Sequence, residues 1–126
     1  MIPGPTEFAS GLRLLARRRN LALFAREADI VELLREASLL ASEIPANEPA
    51  ALFFACARRG RLLGPIAVLA IPLVAREQAR VAGFELEAND TELALLRLRV
   101  VKQAIEFGEL KDWFAARQRP LERPAT

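Results

Sequence analysis

Apolar positions recur along the chain mostly with helical spacing. Phe8, Leu12 and Leu15 fall on one face of a first helix, with Thr6 as its expected cap. That helix should end at Arg17-Arg18-Arg19-Asn20, where cations suit the negative end of the helix dipole. The second helix is expected to begin at Asp29, which with Glu32 resembles a capping box. Ile30, Leu33, Leu34, Ala37, Leu40, Ala41 and Ile44 form its apolar stripe up to Pro45. Glu32, Arg35, Glu36 and Glu43 occupy the opposite face and read as solvated surface. Asn47 and Pro49 open a third helix carrying Leu52, Phe53 and Cys56, which Arg58-Arg59-Gly60 ends.

The stretch Leu62–Ala75 is apolar nearly all round. Gly64-Pro65 marks its start and Pro72 interrupts it. Helices of that kind usually lie at the centre of a bundle, so Ile66, Leu69, Ala70 and Leu73 are expected in the core. Leu69→Ala would then cost roughly 2–5 kcal/mol. Gly83 is an expected helix stop, and Phe84 and Leu86 alternating with Glu85 and Glu87 indicate a short extended segment. Asn89 with Glu92 forms a second capping box before a long helix bearing Leu93, Leu96, Val100 and Ala104, expected to end at Gly108. Leu110, Trp113 and Phe114 belong to a last helix. The pattern predicts an all-α fold: a single domain over residues 1–126, about six helices around a buried central one, with flexible ends at 1–5 and 118–126.

Composition narrows the chemistry. The chain has 126 residues, 52% of them hydrophobic, a net charge of +2, one cysteine and no histidine. The commonest general base and metal ligand is therefore missing. One cysteine forms no internal disulfide and, without histidine, no zinc or iron–sulfur site. Cys56 stands among apolar neighbours and reads as a small buried hydrophobe, not a nucleophile. The six glycines are scattered, so no phosphate loop forms. Ser10, Ser38 and Ser42 have no base to activate them. No catalytic, cofactor-binding or metal-ligating residue is assigned, and no enzymatic activity is expected.

Of the 18 basic residues 16 are arginine. Arg58, Arg59 and Arg61 stand between two helices beside the Gly64-Pro65 helix start, either as an anion or partner contact or as a plain polar loop. Arg17-Arg18-Arg19 is likewise a solvated helix end or a patch for phosphate or an acidic partner. Phe84 and Trp113 are candidate interface anchors, since aromatics commonly anchor interfaces, or they close the core. The run at 62–75 is about fourteen residues, short of the roughly 20 a bilayer span needs. Met1–Pro5 shows no signal-peptide pattern, so a cytoplasmic protein without membrane attachment is expected.

From about Ala50 to Ala116 the order of elements resembles the Fic/Doc family, which includes nucleotidyl-transferring Fic enzymes and the Doc toxins of toxin–antitoxin pairs. Ala50–Arg59 corresponds to the helix before that family's loop. Gly83, Leu86, Ala88 and Asp90 match the segment after its central helix. Glu92, Leu93, Gly108, Leu110 and Trp113 match the closing helices. The family's loop reads His-Pro-Phe-x-x-Gly-Asn-x-Arg, whereas this chain has Gly60-Arg61-Leu62-Leu63-Gly64-Pro65-Ile66. Its histidine would fall near Arg61, so neither the base nor the phosphate-holding loop transfers to any residue here.

The resemblance implies a Doc-like fold without nucleotide transfer. It also implies a toxin–antitoxin-type role through a protein partner, such as an antitoxin-like polypeptide. Two readings stand beside it. One is an unrelated helical adaptor or subunit that homo-oligomerises through apolar faces. The other is a nucleic-acid-binding module using Arg13, Arg17, Arg18, Arg19, Arg58, Arg59 and Arg61.

Overall fold

Nine of the eleven residues of the helix Glu48–Arg58 are buried. Its sequence explains this: Ala50, Ala51, Ala55 and Ala57 let neighbouring helices approach closely, while Leu52, Phe53 and Cys56 fill the space between them. The computed structural model describes residues 1–121 of the chain. In it Glu48–Arg58 (α3) follows α1 (Pro5–Arg19), α2 (Glu27–Ala41) and a 3-10 turn, Pro45–Asn47. After it come the single-turn α4 (Gly60–Leu63), α5 (Ala67–Val81), β1 (Phe84–Leu86), α6 (Asp90–Val101), α7 (Phe107–Arg117) and β2 (Gln118–Pro120). The fold is an all-α bundle with one small antiparallel ribbon. α3 runs through its middle, flanked by α2, α5, α6 and α7, and α1 packs against α2.

The central helix is thus α3 and not the apolar run 62–75. α5 turns Ala67, Ala70, Ile71, Ala75, Gln78 and Ala79 inward. Val68 remains 59% exposed and Leu73 49% exposed, and Leu69 is only half-buried. A helix apolar on every side carries no periodic signal for its inner face. The small side chains win the inner position because they let α5 lie close against the alanine-rich face of α3.

Several boundaries also move. α2 starts two residues before Asp29, whose carboxylate accepts a hydrogen bond from the Arg26 N–H (2.9 Å) at the third helical position. It ends at Ala41, with Ser42 and Glu43 at positive φ, so Ile44 lies outside it and exposed. α6 stops at Val101, not near Gly108. Gln103 is left-handed (φ 56), its N–H bonds the Val100 carbonyl, and the Ala104 N–H bonds the Arg99 carbonyl. This double return closes the helix end without glycine. Ala104 is then exposed, Ile105 supplies the buried anchor of the connector, and Gly108 lies inside α7. The Asn89–Glu92 capping box forms with both of its bonds, 2.8 and 3.1 Å.

The described residues of both ends make specific contacts. The Met1 ammonium pairs with the buried Glu48 (2.8 Å), and Gln78 Nε2 donates to the Met1 carbonyl (2.9 Å). Gln118–Pro120 pairs with β1 in the register Phe84 to Pro120 and Leu86 to Gln118. Residues 122–126 lie outside the described residues. Among the described residues no helix is long and apolar enough to cross a membrane.

Candidate functional site

The turn after α3 places three structural segments around one cleft. The linker 21–26 runs alongside residues 63–66, joined by Phe24 N–H to the Leu63 carbonyl (2.9 Å) and Ile66 N–H to the Ala22 carbonyl (3.1 Å). This sets the Phe24 ring on Gly64, whose backbone (φ 85, ψ −158) only glycine adopts readily. A Cβ on Gly64 would come within 2.7 Å of the ring. Phe24, 63% exposed, forms one wall of the cleft. The end of α3 with α4 forms the second, and the end of α6 with the connector to α7 forms the third. The open cleft has a volume of about 1190 Å³.

Arg58, Arg59 and Arg61 all line this cleft, joined by Arg97 from α6, and Glu106 is the acidic residue among its lining. The arginines are not equivalent. Glu36 of α2, expected to be solvated surface, instead pairs with both Arg58 (2.7 Å) and Arg59, with its side chain only 17% exposed. Arg58 also lies 5.5 Å over the Phe54 ring, and Phe54 meets Phe107 edge-on at 5.6 Å. Arg61 and Arg97 have no ion-pair partner among the described residues. The cleft therefore combines apolar walls with an excess of positive charge, half of it anchored by Glu36 and half free. Guanidinium stays protonated and offers five donors in a planar fork, which suits carboxylate or phosphate.

Sequence reasoning missed Phe24, a lone aromatic in a loop, and Arg97. A signal for Arg97 was present: it lies four residues after Leu93 and three before Val100, on the apolar stripe of α6. An arginine on a buried stripe needs a partner or an opening, and the cleft is that opening.

Trp113 and Phe84 do not project from the fold. Both are half-buried against the core. Trp113 touches Phe114 (5.5 Å) and has Arg117 over its ring at 4.0 Å, while Phe84 lies in the ribbon. The more exposed apolar side chains include Leu39, Phe24, Val68 and Leu95. Cys56 is fully buried, and desolvation pushes its thiol up to about 12, which removes thiolate reactivity at neutral pH. Among the described residues no three His, Cys, Asp or Glu side chains converge as metal ligands. Comparison of the chain with family models, with curated proteins and with solved structures yields no match.

Proposed function

We propose that this is a polypeptide-binding helical protein of the cytoplasm whose arginine-lined cleft holds an acidic segment of a partner, anchored by apolar side chains. The observation that carries the reading is the coexistence of Arg61 and Arg97, unpaired among the described residues, with exposed Phe24 and Val68 in one concavity. Free guanidinium groups beside uncovered apolar walls suit a segment with carboxylates on one side and large apolar residues on the other. The element order α3, loop, α5, β1, α6, α7 keeps the Doc-like reading in this proposal. The cleft then lies at the loop where a Fic enzyme would carry its histidine. The partner would be an antitoxin-like polypeptide, and the chain a catalytically silent member of such a pair.

The test begins with co-purification from the native host, followed by synthesis of the partner's most acidic segment as a peptide. Binding to the unaltered protein and a loss of at least tenfold in Arg61→Glu/Arg97→Glu, with unfolding unchanged, support the proposal. Unchanged peptide affinity in the double variant overturns it. So does a stable homo-oligomer without partner, or RNA binding that falls steeply with salt.

A further inference from the structure

α5 has a second concave side, away from the arginine cleft. α1 packs on α2 and α5 packs on α3, and a groove of about 600 Å³ lies between α1 and α5. Its floor is Phe8 and Leu12 of α1, Leu52 of α3 and Ala70 of α5, with Leu73 and Val81 exposed along one side. Among the described residues no arginine or lysine lines the groove. Its free charges are Glu7 on α1 and Glu77 on α5, one on each bank, neither with an ion-pair partner among the described residues. The remaining charge there, the Met1 ammonium, is already matched by Glu48.

Gly11 supplies an independent observation. It lies in the middle of α1, where glycine destabilises a helix relative to alanine, and it faces the groove. No atom of the chain lies within 4 Å of where its Cβ would be, and its φ is not positive, so neither internal packing nor backbone conformation requires glycine there. Its missing side chain lets another backbone approach the floor of the groove.

We infer that the α1–α5 groove is a second docking site, which takes a basic amphipathic helix of a protein partner. Leucine-type residues at i, i+3, i+4 and i+7 would lie on the Leu12–Leu52–Ala70 floor. Lysine or arginine on the two flanks would meet Glu7 and Glu77, and the helix backbone would pass over Gly11. This site is separate from the cleft and does not rest on the function proposed for it.

The probes are two synthetic amphipathic helices with the same leucine face, one flanked by lysines and the other by glutamates. The lysine helix should bind the full chain at least tenfold more tightly, read by fluorescence anisotropy. Glu7→Lys/Glu77→Lys should reverse that preference. Gly11→Leu should raise the thermal unfolding midpoint yet weaken the lysine helix at least tenfold, a pairing that a purely structural role for Gly11 would not give. Arg61→Glu should leave lysine-helix binding unchanged, which separates this site from the cleft. Equal affinity for the two helices, no binding of either, or lysine-helix binding indifferent to Gly11→Leu overturns the inference. A homodimer abolished by Leu73→Glu also overturns it, because the groove then belongs to a second copy.

Discussion

The cleft and the groove are built from the same helices and differ in the sign of their charge. α5 contributes Ala67 and Val68 to the cleft and Ala70, Leu73 and Val81 to the groove; α3 contributes Phe54 and Ala57 to one and Leu52 to the other. Both concavities have apolar floors. Among the described residues the cleft gathers four arginines against Glu106, whereas the groove has Glu7 and Glu77 and no basic residue. A net charge of +2 for the whole chain conceals this separation. Apolar area says where something can bind, while the local sign of charge says what kind of molecule it is.

The largest test acts on the helix that both sites share. Cys56 lies fully buried in α3. Its thiol ionises near 12 in the folded protein and near its ordinary 9.0 when the chain unfolds. Below 9.0 both states hold the proton and stability does not depend on it. Between 9.0 and about 12 the unfolded state loses the proton first, so stability falls as pH rises. The slope is about 1.4 kcal/mol per pH unit. Denaturant unfolding across this range should show that fall, and Cys56→Ala should flatten it. An unchanged slope in the variant would remove Cys56 as the cause.

The next effect is local to the cleft. Gly64→Ala places a side chain in a backbone region reserved for glycine and against the Phe24 ring. The strain should cost about 1–3 kcal/mol. Lysine-helix binding in the groove should survive while acidic-peptide binding in the cleft weakens. Equal loss at both sites would mean that they are not separable.

The smallest effect has opposite signs in two measurements. Glu36→Gln removes the shared counter-charge of Arg58 and Arg59. Stability should fall by about 1 kcal/mol, as for a hydrogen-bonded, half-buried ion pair. Affinity for an acidic peptide in the cleft should rise a few-fold, because two more guanidinium groups are freed. A fall in both would show that Glu36 organises the arginines for binding and does not compete with it.

Much of the fold was legible in the sequence. Helix positions followed from the stripe Ile30–Leu33–Leu34–Ala37, from the Asn89–Glu92 box and from Gly83, because each is a local signal within a few residues. The stop of α6 was not legible, since Ala104 and Gln103 carry no breaker. The double carbonyl return that ends the helix depends on Ile105 finding the core. The ribbon was half legible: Phe84–Leu86 alternates, but its partner Gln118–Pro120 looked like a tail and becomes a strand only through pairing over more than thirty residues. At the candidate site the arginine cluster Arg58, Arg59 and Arg61 was legible. Its division into held and free groups was not, because Glu36 lies 22 residues before Arg58.

A helical chain without histidine chemistry, with an alanine-rich third helix, a long apolar run and an arginine cluster between them, is already written in the order of the residues. Local propensity, spacing and composition act over one or two turns and do not need the rest of the molecule. Which of the two apolar helices lies at the centre follows from packing in three dimensions. That choice depends on how closely helix faces approach, and the small side chains of α3 and α5 allow a closer approach than Val68 and Leu73 do. The same packing decided which charges remain unpaired. Ion pairs such as Glu36 with Arg58 form between residues distant in sequence, and what they leave over, Arg61 and Arg97 on one side of α5 and Glu7 and Glu77 on the other, gives the two faces their opposite signs.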